Sequence, residues 1–175
     1  MHPRSKELLT YFDAQRAILK SAFDSVPAER RNQRSEPGRW STANVVEHLA
    51  IVEGRMAGIL SSRIREERAS GLAGETSSEP MLPTLDVSRI SDRTTRIQAP
   101  EFAHPTGMDA TAAWTQLEVA TAALRAMLLS GDGLALASVM QPHSRLGPMS
   151  VYHWIAFLAA HESRHAEQIR EMSGN

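Results

Sequence analysis

Apolar residues recur at helical spacing in four separate stretches of this chain. In the first, Ser5 to Val26, the residues Leu8, Phe12, Leu19, Phe23 and Val26 follow at intervals of four, seven, four and three, with Gln15 interrupting the stripe. That period puts one side of an α-helix against a core and the other in water. Pro27 and the charged stretch up to Gly38 end it. The second stretch begins after Trp40. Ser41 or Thr42 suits the N-cap, because a hydroxyl there accepts from the unpaired amides of the first turn. With Ser41 as cap, Trp40 and Val45 take the positions of a hydrophobic staple. The stripe continues through Val45, Leu49, Val52, Met56, Ile59 and Ile64 and fades into the charged run Arg65 to Arg68.

The third stretch starts near Asp109, repeats at three and four through Trp114, Leu117, Thr121, Leu124 and Leu128, and stops at Gly131 and Gly133. The fourth starts near Met149 or Ser150, after a loop containing Pro142 and Pro148. It runs to about Met172, with Ile155, Leu158, His161, His165 and Ile169 along one side. Between the second and third, Ser70 to Gly107 carries Pro80, Pro83, Pro100 and Pro105 and no sustained period. A connection this long is often functional. It can cross the full length of a bundle, which lets the second and third helices run parallel, and a short helix is expected within it around Val87 to Arg96. No β alternation and no internal repeat is visible. The pattern predicts an all-α protein, a four-helix bundle with a long crossover between helices 2 and 3, in a single domain spanning 1–175.

Composition narrows the function. A chain of 175 residues can bury a core without disulfides or a structural metal, so a bound metal would be functional. Nineteen basic and twenty acidic side chains give a net charge of −1, with the arginines spread over helices and loops. This argues against a nucleic-acid partner, which would call for a clustered basic excess. The lack of cysteine excludes disulfides, thiolate metal sites and a cysteine nucleophile. The N-terminus holds no apolar run suited to a signal peptide and no stretch could span a bilayer, so a cytoplasmic protein without a membrane partner is expected. Glycine-rich phosphate loops and GxSxG elbows are missing as well.

The chemistry resides in histidines. His161 and His165 stand four apart, one helical turn along the same face, where two imidazoles can chelate one ion. With Glu162 between them the stretch reads HESRH, a literal match to the HExxH zinc-peptidase motif. The pair lies on the side of Leu158 and Ile169, and burying two imidazoles requires hydrogen bonds or a metal to offset the cost. His48, between Val45 and Val52 on the second helix, supplies a third inward ring. Three protein ligands and an open position are what a catalytic metal requires. A peptidase does not fit, because the ten residues after His165 offer only Glu167 and Glu171 and no third histidine. Glu162 is the candidate general base toward a metal-bound water, against the alternative of an interhelical ion pair. Gln168, one turn past His165, can orient that ring. His143 can line the mouth of the pocket. His104 and His153 suit packing or solvated roles, as do Trp40, Trp114 and Trp154 as core residues.

These residues bring the chain close to a known family. The Trp-Ser start of the second helix leading into Glu47-His48-Leu49, the proline-punctuated stretch Arg93 to Met108, and Pro142 to Ile169 with Leu146-Gly147-Pro148 and His161-x3-His165-x2-Gln168 resemble the DinB/YfiT-like metalloenzymes. The resemblance covers nearly the whole chain. It implies a four-helix bundle with a long crossover and a divalent metal ion, zinc or nickel, on His48, His161 and His165. It also implies thiol-dependent S-transferase or isomerase relatives that use low-molecular-weight thiols, and homodimers formed through bundle faces. The leading expectation is a metal-dependent enzyme acting on a small-molecule substrate by thiol transfer or metal-assisted hydrolysis. The alternatives are a non-enzymatic metal- or small-ligand-binding stress-response protein and a structural bundle without metal.

Overall fold

The computed structural model describes residues 1–94 and 98–173. Five helices follow in chain order: α1 (Pro3–Ser25), α2 (Thr42–Ala69), the five-residue α3 (Val87–Ser91), α4 (Ala110–Ser130) and α5 (Val151–Ser173). The four long ones form the bundle, as the periodicity predicts. Their ends follow local chemistry. Ser41 caps α2 in a reciprocal box with Asn44, each side chain accepting from the other residue's amide at 3.2 Å. Asp109 caps α4 by accepting from the amides of Thr111 and Ala112 at 2.9 Å. α4 ends at Gly131, where a Cβ would stand 3.0 Å from a Leu136 methyl. α2 runs on through the charged segment to Ala69, beyond where its stripe fades.

The helices pair lengthwise. α1 and α5 lie parallel: Arg4 covers the Tyr152 ring at 5.9 Å near their starts, and Arg16 reaches Glu162 near their middles. α2 and α4 are parallel too. Glu47 early in α2 holds the residues just before α4, and Gly74 beyond α2 bridges Leu134 beyond α4. The crossover therefore travels the length of the bundle, as its size predicts. It is pinned along the way by Arg4 to Glu75 (2.9 Å), by the Met81 amide to Glu7 (2.8 Å) and by Thr84 to His153 (2.8 Å). α3 packs on α5 within it. The helix expected around Val87 to Arg96 is thus shorter, and Arg96 lies outside the described residues.

The segment between α4 and α5 differs from the loop expected there. It contains a two-stranded antiparallel hairpin, β1 (Met140–His143) and β2 (Gly147–Ser150), in register Met140 to Ser150 and His143 to Gly147. The Trp154 indole donates to the Gln141 carbonyl at 2.8 Å and fastens the hairpin to α5. Among the described residues no helix is long and apolar enough to cross a membrane.

Two apolar clusters fill the interior. Leu8, Phe12, Leu60, Leu124, Tyr152 and Leu158 belong to one, and Leu19, Phe23, Val45, Leu49, Leu117 and Ile169 to the other. Full burial of each such side chain stabilises the fold by about 1.5–3 kcal/mol. Between the clusters runs a polar layer with one member from each long helix: Arg16, Glu53, Thr121 and Glu162. The Arg16 Nη2 donates to Glu53 (3.0 Å), to Glu162 (2.6 Å) and to Thr121.

Candidate metal centre

His48 stands in the second turn of α2, and His161 and His165 on successive turns of α5. The antiparallel approach of these helices brings the three together: one ring nitrogen from each lies within 4.8 Å of the other two. Ring centroids are 5.3 Å apart for His48 and His161, 5.0 Å for His48 and His165, and 4.5 Å for His161 and His165.

The hydrogen bonds at the rear of the rings fix their chemistry. His48 Nδ1 lies 2.7 Å from the Ala103 carbonyl, which can only accept, so the proton is on Nδ1 and Nε2 keeps its lone pair. His165 Nδ1 lies 2.8 Å from Gln168 Oε1, and the same tautomer follows. The His165 Nε2 then faces the His161 Nε2 at 3.0 Å. A tetrahedral ion bound at about 2.0–2.1 Å sets its nitrogen ligands on the order of 3.3 Å apart, close to that spacing. His161 Nδ1 is buried with no hydrogen-bond partner. Burial holds all three rings below the usual imidazole pKa, well below it for His161 and His165. The rings of the triad act on one another in the same direction, His48 on His161 and both on His165, and Arg164 adds to this at His161 and His165. Burial thus favours the neutral form of all three rings, the form that binds a metal ion. Such nitrogen donors suit zinc, nickel or copper, so the residues fit a divalent ion.

His48 and His165 are buried and His161 is half-exposed, so the cluster opens on the His161 side. Phe157 stacks on His161 at 5.7 Å and 14°, and His143 on β1 packs against Phe157 at 4.8 Å and Trp154 at 5.2 Å. On the other flank Trp40 meets His48 at 5.0 Å and His104 at 6.4 Å. The amides of Arg145 and Leu146 both donate to His143 Nδ1 at 3.1 Å, so its proton sits on Nε2. Burial and Arg145 lower its pKa.

Glu162 lies elsewhere. The side chain is 0% exposed in the polar layer, with Oε1 on Arg16 at 2.6 Å and Oε2 without a partner. Burial and the facing Glu53 raise its pKa well above the carboxylate range. The inward line of α5 runs through Ile155, Leu158, Glu162, Ala166 and Ile169, with the histidines at its edge, a shift of about one residue from the face that the apolar spacing predicts.

Glu47 and Ala103 escape sequence reasoning. Glu47 is 1% exposed. It accepts from the amides of Thr106 (2.6 Å), Gly107 (3.0 Å) and Met108 (3.0 Å) and from the Thr106 hydroxyl (2.6 Å). It thereby anchors the end of the crossover from which Ala103 reaches His48. A carboxylate inside the run Val46 to Leu49 is the available signal; the carbonyl has none.

Residues 11–169 match the DinB superfamily. The chain is 24% identical over 166 residues to the uncharacterized protein YuaE of Bacillus subtilis (strain 168), covering 94% of this chain and 96% of that protein. No solved structure matches. With a match over most of its length, the chain belongs to the DinB superfamily.

Proposed function

We propose that this protein is a metal-dependent enzyme acting on a small molecule, with one zinc or nickel ion held by His48, His161 and His165. The observation that carries the reading is the convergence of three neutral imidazoles beside a half-exposed flank. An ion held there would supply a Lewis acid with an open position, able to lower the pKa of a water or a thiol.

The chain's own residues do the rest. Ala103 and Gln168 orient the rings of His48 and His165. Trp40 and Phe157 limit water at the two flanks. Among the described residues His143 Nε2–H has no protein acceptor, so it remains available to a substrate. The reaction proposed is transfer or isomerisation assisted by a low-molecular-weight thiol, in line with the family resemblance, with metal-assisted hydrolysis as the other form. Glu162, next to the ligand His161 on α5, is the proposed general base. The proposal includes a cytoplasmic homodimer.

A second reading, a non-enzymatic metal- or ligand-binding protein of the stress response, draws on one observation. The carboxylates adjacent in sequence to the ligands are otherwise engaged, Glu162 with Arg16 and Glu47 with loop amides.

Elemental analysis of tag-free protein, beside His48→Ala and His165→Ala, tests the site. About one equivalent of metal in the parent, lost from both variants, supports it; substoichiometric metal after incubation with each ion overturns it. A substrate screen of Glu162→Gln with metal retained then decides between the readings of Glu162: turnover lost assigns the base, turnover unchanged assigns only the ion pair.

A further inference from the structure

The linker between α1 and α2 holds four arginines and two glutamates from Ala28 to Trp40, and its arginines divide into two pairs. Arg31 and Arg39 are used by the fold. Arg31 lies 4.2 Å over the Phe23 ring, donates to the Val26 carbonyl at 2.9 Å and faces Asp24. Arg39 pairs with Glu36. Arg30 and Arg34 make no ion pair among the described residues, and Glu29, the other carboxylate of the linker, pairs with neither. Both arginines line a cavity of about 110 Å³ between the end of α1 and the start of α2, with Ser35, Thr42 and Met172.

Thr42 gives the cavity its chemistry. It is the first residue of α2, a 28-residue helix with no acidic side chain in its first turn. The next two amides are engaged, Ala43 with the Arg31 carbonyl at 2.9 Å and Asn44 with the Ser41 hydroxyl at 3.2 Å. Thr42 is only 4% exposed, yet among the described residues its amide has no acceptor and its hydroxyl no partner. Buried polar groups are almost always hydrogen-bonded, so a pair left open on a cavity points to an absent acceptor. A free amide at the positive end of a long helix selects an anion.

The opposite wall does not cancel this. The carbonyls at the end of α1 are already occupied: Ala22 by the Ser25 hydroxyl, Phe23 by the Val26 amide, Val26 by Arg31 and Pro27 by the Arg30 amide. The linker is also held in place, since Asn32 accepts from the Ala110 amide at 2.8 Å and the Gln33 amide donates to the Arg30 carbonyl at 2.9 Å. A ligand there would not have to order the backbone that carries the arginines.

We propose that this cavity is a second ligand site, separate from the three histidines, that takes a phosphoryl group, free or at the end of a phosphate monoester. Two guanidinium forks, an amide and a hydroxyl converge on it, a donor set that suits the several oxygens of phosphate better than the two of a carboxylate. The chain's net charge of −1 argues for a small ligand over a nucleic-acid backbone.

The test is calorimetric titration of full-length protein, stripped of metal with a chelator, with inorganic phosphate, glycerol 3-phosphate, glycerol and acetate at constant ionic strength. Phosphate should bind at one saturable site, and acetate and glycerol should not. Arg30→Gln and Arg34→Gln, both exposed changes, should each weaken it about tenfold, as should Thr42→Val, which keeps the shape and removes the hydroxyl. Arg68→Gln, at the far end of α2, should leave affinity unchanged. Tighter binding of glycerol 3-phosphate than of phosphate supports a monoester ligand; equal or weaker binding supports free phosphate. Acetate binding as well as phosphate does, phosphate binding that survives the double change Arg30→Gln with Arg34→Gln, or no saturable binding of either phosphate overturns the proposal. Binding seen only with metal present places the anion on the metal and overturns it as well.

Discussion

His48 donates from Nδ1 to the carbonyl oxygen of Ala103 at 2.7 Å, and this bond joins a metal-facing ring to a residue fifty-five positions away in the crossover. The ring's tautomer is thus set by a loop, and the loop is held by Glu47, the neighbour of His48 on α2. Removing charge from that anchor should disturb metal binding without touching a ligand. Glu47→Gln is expected to lower stability to urea by about 1–3 kcal/mol, as buried amides lose a charged acceptor. Metal affinity, measured against a competing chelator, should fall roughly tenfold or more. Unchanged affinity would assign Glu47 to the loop alone.

Metal should stabilise the folded chain. Ligand at about a hundred times its dissociation constant contributes about 2.7 kcal/mol, and a domain of this size gains roughly 2–4 °C per kcal/mol. Zinc or nickel should therefore raise Tm by roughly 5–10 °C in thermal melts. His48→Ala and His165→Ala should melt at one temperature with or without the ion.

The lowered histidine pKa values fix a sign. In the unfolded chain these rings titrate near about 6.5; in the folded chain His161 and His165 titrate well below that. Between the two values the unfolded state binds more protons. Stability from the neutral rings is present above about pH 6.5 and is lost as pH falls toward the folded values. Urea melts of metal-free protein should show that loss between pH 7 and 5, and His161→Leu should show less of it. Calorimetry in buffers of different ionisation enthalpy should detect almost no proton release on metal uptake at pH 7, since the rings are already neutral. Release of a full proton would contradict the assignment.

The ionic layer should respond unequally to single and combined changes. Arg16→Met leaves Glu53 and Glu162 buried against each other and should cost about 3–5 kcal/mol in urea melts. The combination Arg16→Met, Glu53→Leu and Glu162→Leu should be near neutral or stabilising, since no buried charge is left uncompensated. A combined variant as damaged as Arg16→Met would show that packing, not charge, governs the layer.

The four long helices are legible in the chain because an amphipathic period sustained over such lengths fits a helix and little else, and Ser41 and Asp109 mark two starts. The hairpin is not, since four-residue strands containing Pro142 and Pro148 carry too little alternation to register. The three histidines can be gathered from spacing and apolar flanks. The face of α5 comes out about one residue off when read from apolar spacing alone, with His161 inward and Glu162 at the side. A glutamate in the core makes sense only once Arg16 from another helix is known to meet it. Long-range partners such as Ala103 act through backbone and leave no side-chain signature.

The layer of Arg16, Glu53, Thr121 and Glu162 acts as a ruler for the bundle. Hydrophobic stripes alone tolerate one helix sliding past another by a turn, about 5.4 Å, since leucine replaces leucine. Here such a slip would leave a carboxylate or a guanidinium facing hydrocarbon. The four groups meet at a single height, and that height sets where along α5 the start of α2 must fall. His48 reaches the level of His161 and His165 because charges five residues further along α2 and one further along α5 permit no other alignment.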